Sequence, residues 1–386
     1  MSVPDSRPRG KITLKPAERN AFISDELERL INRVRAGEGP KPNRYKSERA
    51  VLERLIPIQT DGFRGVALTA IMGKMINEDI DTSNEFDSIN PRGVYENGIR
   101  PILKKHRIPS GRSTSSAPLN VAKNVKLLDE DWAQGRKPES AALAAVEYVR
   151  RVNRHWSNIQ MRDDLIMMFL QRLLSYADEV ASNDIEMDPI EGAVPIELAQ
   201  RLSTFALANP ERGSMPQFVV GALLAAFRST DSEYAEVGGI DASVFGTNTT
   251  SNKPADLWEV LPSGAYGNLY EVTCKPVDID RLDAAVDSFS KLGLPNSPIT
   301  FICRIPLDCA NLTLVSGVVV HRGVSFQFID FSNFIDATVV MLSPTKRALA
   351  FQEIDRFVSE PACGLKTKRA WAAAFGILLD PTPKRA

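Results

Sequence analysis

Apolar residues change their period near the middle of this chain. In the first half they fall at the spacing of one helix face. Leu27, Leu30, Ile31 and Val34 form one such set. Leu68, Ile71, Met72 and Met75 form another, and Leu165, Ile166, Phe169, Leu170 and Leu173 a third. Asp25 and Glu28 are spaced as a capping pair for the first, and Pro138 before ESAALAAVEYVRRVNRHW predicts a helix with proline in its first turn. Helices are also expected over Ile196–Leu207 and Gln217–Phe227. Short β-rich runs follow at Leu269–Val277, Ile299–Ile305, Leu312–Val320, Val324–Ile329 and Ala337–Leu342. Leu282, Ala285, Val286 and Phe289 place a helix between the first two runs, which implies a parallel crossover with helices packed on a sheet. Ser343-Pro344 starts another helix, and LKTKRAWAAAFGIL closes the pattern. The expected class is α/β (α+β), a mixed sheet flanked by helices, preceded by a mainly helical domain.

The polar stretch SNDIEMDPIEGAVP separates the halves. The expected organisation is a tail over residues 1–20, helices over 21–185 and the sheet domain over 190–386, with no internal repeat. The sequence has 386 residues, 43% of them apolar, enough to bury a core. The formal net charge of −1 rules out a uniformly basic surface, so any nucleic-acid contact must come from local clustering. Such a cluster lies between Phe86 and Lys126. There Arg92, Arg100, Lys104, Lys105, Arg107, Arg112, Lys123 and Lys126 outnumber the acids Asp87 and Glu96 around a Gly/Ser/Pro-rich loop. The plain alternative is a solvated helix face.

Four cysteines without a CxxC pair, and three scattered histidines, argue against a zinc site and for free thiols in a reducing compartment. The N-terminus lacks the apolar core of a secretory signal. The longest apolar run, Phe218–Phe227, is about half of the ~20 residues a membrane span needs. A soluble, cytoplasmic protein is expected. There is no GxxxxGK[ST] for ATP, and no methyltransferase signature.

The stretch with most chemistry runs from Lys253 to Asp278 and reads as two strands joined by a Gly/Ser/Asn turn. Asp256 opens the first strand. On the second, Glu271, Thr273 and Lys275 are two apart and so share a face. Two carboxylates offer the hard oxygen ligands that Mg2+ prefers, and a lysine beside them can hold a phosphate or orient water. The plain reading is a turn aspartate and an exposed cross-strand Glu/Lys pair. Glu236 is a candidate third acid, set against an ordinary loop carboxylate.

The pattern Pro254-Ala255-Asp256 followed by Glu271 to Lys275 resembles the PD-(D/E)xK nuclease superfamily, and the resemblance covers roughly Ile196 to Leu342. Over the whole chain RGVALTAIMGKMI, INPRGVYENGIRPILKKHRIPSG and LNVAKNVKLLDEDWAQGRKPESAALAAV resemble the SacI-like type II restriction endonucleases. Two departures stand out. Ala255 precedes the first acid, and Thr273 occupies the lysine position of an E-x-K frame, with Lys275 one strand repeat, ~7 Å, further on. Either Lys275 reaches back or another group fills the role.

The resemblance implies a Mg2+-dependent, restriction-endonuclease-like core in which Asp256 and Glu271 hold metal and Lys275 serves the attacking water. Cleavage would leave 5′-phosphate ends. It further implies a homodimer on a short palindromic site in double-stranded DNA, with a separate methyltransferase in the same restriction-modification system. Lys104, Lys105, Arg107, Arg112, Asn120 and Lys123 are the expected DNA contacts, with Arg112 and Asn120 able to read base edges. Competing readings are a repair or structure-specific nuclease and a non-catalytic DNA-binding regulator.

Overall fold

The first helix, α1 (Pro16–Arg35), begins at a proline, whose missing N–H would have no partner in a first turn anyway. Glu18 Oε2 accepts the Lys15 backbone N–H at 3.0 Å and completes the cap. Asp25 and Glu28 therefore lie inside the helix and cap nothing, and Pro16–Asn20 belong to it rather than to a tail. The structure, a computed structural model, describes residues 15–58, 62–110, 117–122, 124–182, 186–187, 193–229, 236–240, 253–292 and 297–377. The rest of the expected tail lies outside these. The chain divides into two units, Met1–Ala181 and Ser182–Ala386.

In the first unit α2 (Lys46–Leu55) is followed by α3 (Gly62–Ile76), which is buried from Gly62 to Lys74. A helix apolar on every side must sit at the centre of its unit. Its two cations donate to nearby backbone carbonyls. Arg64 Nη1 donates to the Ile58 carbonyl at 2.8 Å, and Lys74 Nζ to that of Ile80 at 2.6 Å. The short helix α4 (Pro91–Val94), a π-helical turn at Tyr95–Ile99 and α5 (Arg100–Lys105) run on from one another. After α6 (Glu130–Ala133), the long helices α7 (Glu139–Arg154) and α8 (Ile159–Ala181) close the bundle. Pro138 is the N-cap residue of α7 rather than part of its first turn.

The second unit opens with β1 (Glu186–Met187), α9 (Pro195–Ala208) and α10 (Ser214–Arg228). Its sheet contains β2 (Glu236–Gly238), β3 (Leu257–Val260) and β4 (Tyr266–Val272). After α11 (Ile279–Leu292) come β5 (Ile299–Cys303), β6 (Val318–His321) and β7 (Val324–Asp330). Helices α12 (Phe331–Met341), α13 (Pro344–Ser359) and α14 (Leu365–Phe375) follow, and β8 (Gly376–Ile377) pairs with β1. The six-stranded order is β2-β3-β4-β5-β7-β6, with β4, β5 and β7 mutually parallel and the other pairings antiparallel. The mixed α/β class is as expected.

Side chains alternate between two cores. Tyr270, Val272 and Ile302 pack under α9, α10, α12, α13 and α14. Leu269, Ile299, Phe301 and Phe326 pack under α11.

Three strand expectations are corrected, one wholly and two in part. Ala337–Leu342 lies mostly in α12, where Phe331, Ile335, Thr338 and Val339 are buried at helical spacing. The β-branched run Thr338-Val339-Val340 suggested a strand, but the N-cap at Asp330 commits the chain to a helix. Of Leu312–Val320 only Val318–Val320 joins a strand, because Ser316 and Gly317 take left-handed turn conformations at φ 51° and 76°. The third, Leu269–Val277, ends at Val272 and reshapes the site.

Asp330 ties the start of α12 to the loop after β5. Its Oδ1 accepts the N–H groups of Ser332 and Asn333 at 3.0 and 3.1 Å, and Oδ2 accepts that of Ile305 at 2.9 Å. Asp330→Ala strands all three donors and is expected to cost about 2 kcal/mol, measured as a lower urea midpoint with unchanged slope.

Candidate active site

Asp256 and Glu271 face each other across adjacent strands. Leu257 pairs with Tyr270 and Trp258 with Leu269 in the antiparallel β3–β4 ladder, and continuing that register puts Asp256 opposite Glu271. Asp256 Oδ2 accepts the backbone N–H of Val272 at 3.1 Å, which locks the carboxyl at the end of β4. Glu271 lies beside Phe301 of the parallel neighbour β5 and is 6% exposed. Both acids therefore sit on the α11 face, at the C-terminal end of the parallel strands, where side chains from strand ends and the following helix converge.

The backbone beneath Asp256 is held from behind. Gln217 of α10, itself buried, donates Nε2 to the carbonyls of Gly239 at 2.8 Å and Asp256 at 3.1 Å. Gly239 has φ +88°, and a Cβ there would lie 2.2 Å from the Asp256 carbonyl oxygen. Only glycine allows the chain after β2 to approach so closely.

Lys275 does not share the strand face of Glu271. The Thr273 N–H makes one more ladder bond, to the Ile302 carbonyl at 3.0 Å, and the chain then bends. Thr273 Oγ1 accepts the Lys275 N–H at 3.0 Å, and Arg304 Nη2 donates to the Cys274 carbonyl at 2.6 Å. Lys275 is exposed on this bend. Pro276 explains the outcome, since it cannot donate to a ladder.

Two other cations act on the acids. Arg281, in the first turn of α11, donates Nη1 to Thr273 Oγ1 at 3.0 Å, and its Nη2 lies 3.8 Å from Glu271 Oε2. Half-buried Lys253, three residues before Asp256, is close enough to interact with its charge.

Burial pushes the Asp256 carboxyl above the ordinary aspartate range. The Val272 N–H, Arg281, Lys253 and a hydrogen bond with Glu271 pull it part of the way back. Burial also pushes the Lys253 ammonium down, against the pull of Asp256. Two carboxyl groups joined by a hydrogen bond cannot both ionise cheaply, so a proton or a cation must sit between them. The donor set fits Mg2+, which is held by one or two carboxylates and completed by water and phosphate oxygens. No group of three or more His, Cys, Asp or Glu among the described residues could hold a metal.

The other sheet face carries a structural carboxylate. Glu259 is wholly buried, and accepts from Arg228 Nε at 2.9 Å, Asn268 Nδ2 at 2.6 Å and the Tyr270 hydroxyl at 3.0 Å. Glu236, the candidate third acid, is exposed on β2 opposite Val260. That is four residues along β3 from Asp256, about 13 Å, so Glu236 does not join the pair.

In the first unit the basic cluster is more heterogeneous than its sequence suggests. Arg100 is buried, Arg92 pairs with Glu96 at 3.2 Å, and Lys105 pairs with Glu28. Lys104, Arg107, Asn120 and Lys126 are exposed, whereas Arg112 and Lys123 lie outside the described residues. No described helix is long and apolar enough to cross a membrane. Neither protein-family models nor curated protein sequences contain a match to this chain.

Proposed function

We propose that this protein is a Mg2+-dependent DNA endonuclease of the type II restriction class, with Asp256 and Glu271 as its metal ligands. The observation that carries the reading is the opposed, hydrogen-bonded carboxyl pair at the end of parallel strands, with Arg281 and Lys253 beside it. Bound there, Mg2+ would act as a Lewis acid and lower the pKa of a coordinated water.

The chain's own groups would do the rest. Asp256, fixed by the Val272 N–H, and Glu271, fixed on the strand, orient the site, while the cations offset negative charge as a phosphate approaches. In the hydrolysis the water oxygen bonds to phosphorus as the bond to the 3′-oxygen breaks. The water gives up a proton and the 3′-oxygen takes one, leaving 5′-phosphate and 3′-hydroxyl ends. Lys104, Lys105, Arg107, Arg112, Asn120 and Lys123 are proposed DNA contacts. A homodimer would match a palindromic duplex site, and a separate methyltransferase would protect the host DNA.

A plasmid digest with Mg2+ tests the reading. Discrete fragments with fixed-sequence ends are expected from the wild type. Ends that track junctions or lesions would indicate a repair nuclease instead, and DNA binding without cleavage under any divalent metal would indicate a regulator. Lys275 bears separately on the lysine assignment. Because it is exposed on the bend, Lys275→Ala is expected to change the cleavage rate by no more than about twofold, the scale of an ordinary surface substitution.

A further inference from the structure

Arg281 is placed where an arginine is electrostatically unwelcome. It lies in the first turn of α11, where the helix dipole favours negative charge. Three contacts hold it there. Nη1 donates to Thr273 Oγ1 at 3.0 Å, Nη2 lies 3.8 Å from Glu271 Oε2, and Cζ stands 6.0 Å from the centroid of the Phe301 ring. Thr273 is itself fixed, through its N–H to the Ile302 carbonyl and its hydroxyl to the Lys275 N–H. The guanidinium is thus positioned beside the acid pair, yet its side chain keeps 30% exposure, so a ligand oxygen can reach it from solvent.

We infer that Arg281 is the residue that grips the scissile phosphate, in the role that a strand lysine was expected to fill. This rests on the nuclease reading of Asp256 and Glu271. A guanidinium is always charged and presents a planar fork of donors that matches two phosphate oxygens. It holds the phosphate and offsets charge that accumulates during attack, and it transfers no proton. The exposed bend carries Lys275, whereas Arg281 is anchored against the sheet on two sides. Pre-positioned donors of this kind act mainly in the transition state, so their loss falls on kcat.

The test has two stages. Wild type and Asp256→Asn are first compared on plasmid DNA with Mg2+, and the absence of wild-type cleavage overturns the nuclease reading and this inference together. Once wild-type cleavage is seen, Arg281→Ala is expected to lower kcat about 10²–10³-fold, with KM changed less than about threefold. Arg281→Lys should recover part of the loss. Added guanidinium at sub-denaturing concentration should restore some rate to Arg281→Ala and none to Asp256→Asn. A kcat within about threefold of wild type in Arg281→Ala overturns the inference and leaves the acid pair standing. So does a loss that neither lysine nor guanidinium repairs. If the alanine variant does not fold, Arg281→Lys and Arg281→Gln carry the comparison, with a kcat for Gln equal to that for Lys counting against a cationic role.

Discussion

On the proposed nuclease reading, Asp256→Asn is expected to lose at least about 10³-fold in cleavage rate, the equivalent of ~4 kcal/mol of transition-state stabilisation, and yet to melt above the wild type at neutral pH. The two effects share a cause. Asparagine can still accept the Val272 N–H through its oxygen, so the local hydrogen bond survives. What disappears is a buried charge beside Glu271, and burial is the leading reason the Asp256 carboxyl is raised.

The sign of the pH dependence follows from that raised value. A carboxyl with a higher pKa folded than unfolded contributes stability that is fully present below its unfolded pKa, about 3.9 for aspartate. The contribution is lost as pH rises through the folded value. The melting advantage of the variant should therefore vanish in acid and grow toward neutrality, at about 2–4 °C per kcal/mol for a unit of this size. If Mg2+ binds the acid pair as proposed, it should reverse the order by stabilising the wild type alone through mass action. Calorimetry across pH, with and without Mg2+, checks both arms. A variant less stable than wild type at every pH would contradict the raised carboxyl.

Arg228→Met is expected to give the largest loss of stability in the second unit, about 3 kcal/mol or more and roughly 6–12 °C in melting temperature. Glu259 has no exposed surface, and Arg228 is the cation paired with it. Without Arg228, Glu259 keeps the Asn268 and Tyr270 donors but is buried without its counter-ion. Adding Glu259→Gln to the same chain should recover most of the loss, because the pair's value lies in mutual neutralisation. Since Arg228 and Glu259 occupy the face away from α11, the proposed cleavage should persist at a permissive temperature. Denaturant melts of both single variants and the double variant measure the coupling.

Periodicity conveyed the helical first half, the crossover helix carrying Leu282, Ala285 and Val286, and the β3–β4 hairpin, because each is dictated by local pattern. The acid pair was legible for the same reason, as one hairpin brings Asp256 opposite Glu271. Strand ends were not. Alternation extended β4 to Val277, although Pro276 was a readable stop. Arg281 was missed because its partners, Thr273 and Phe301, lie on a strand end and on a parallel neighbour whose register no local pattern specifies. A cue was present nonetheless. A basic residue in a helix's first turn, just after an acid-bearing strand, needs a nearby anion to justify it. The segment at Thr338-Val339-Val340 shows the opposite limit, where β-branched residues in a helix interior misled and only the Asp330 cap decided.

Gln217 gives the second unit a mechanical property. It belongs to the apolar helix α10 and yet holds the carbonyl of Asp256 directly. The packing of the large core is thereby geared to the position of a single carboxylate, with Gly239 leaving no slack on the other side. Any substitution that rolls or slides α10 by a fraction of an ångström will be transmitted to Asp256 before it is felt as unfolding. If the protein is the proposed nuclease, variants of Met215, Phe218 or Leu223 selected only for melting temperature should therefore scatter widely in turnover, and cleavage rate would be the finer gauge of how this core is set.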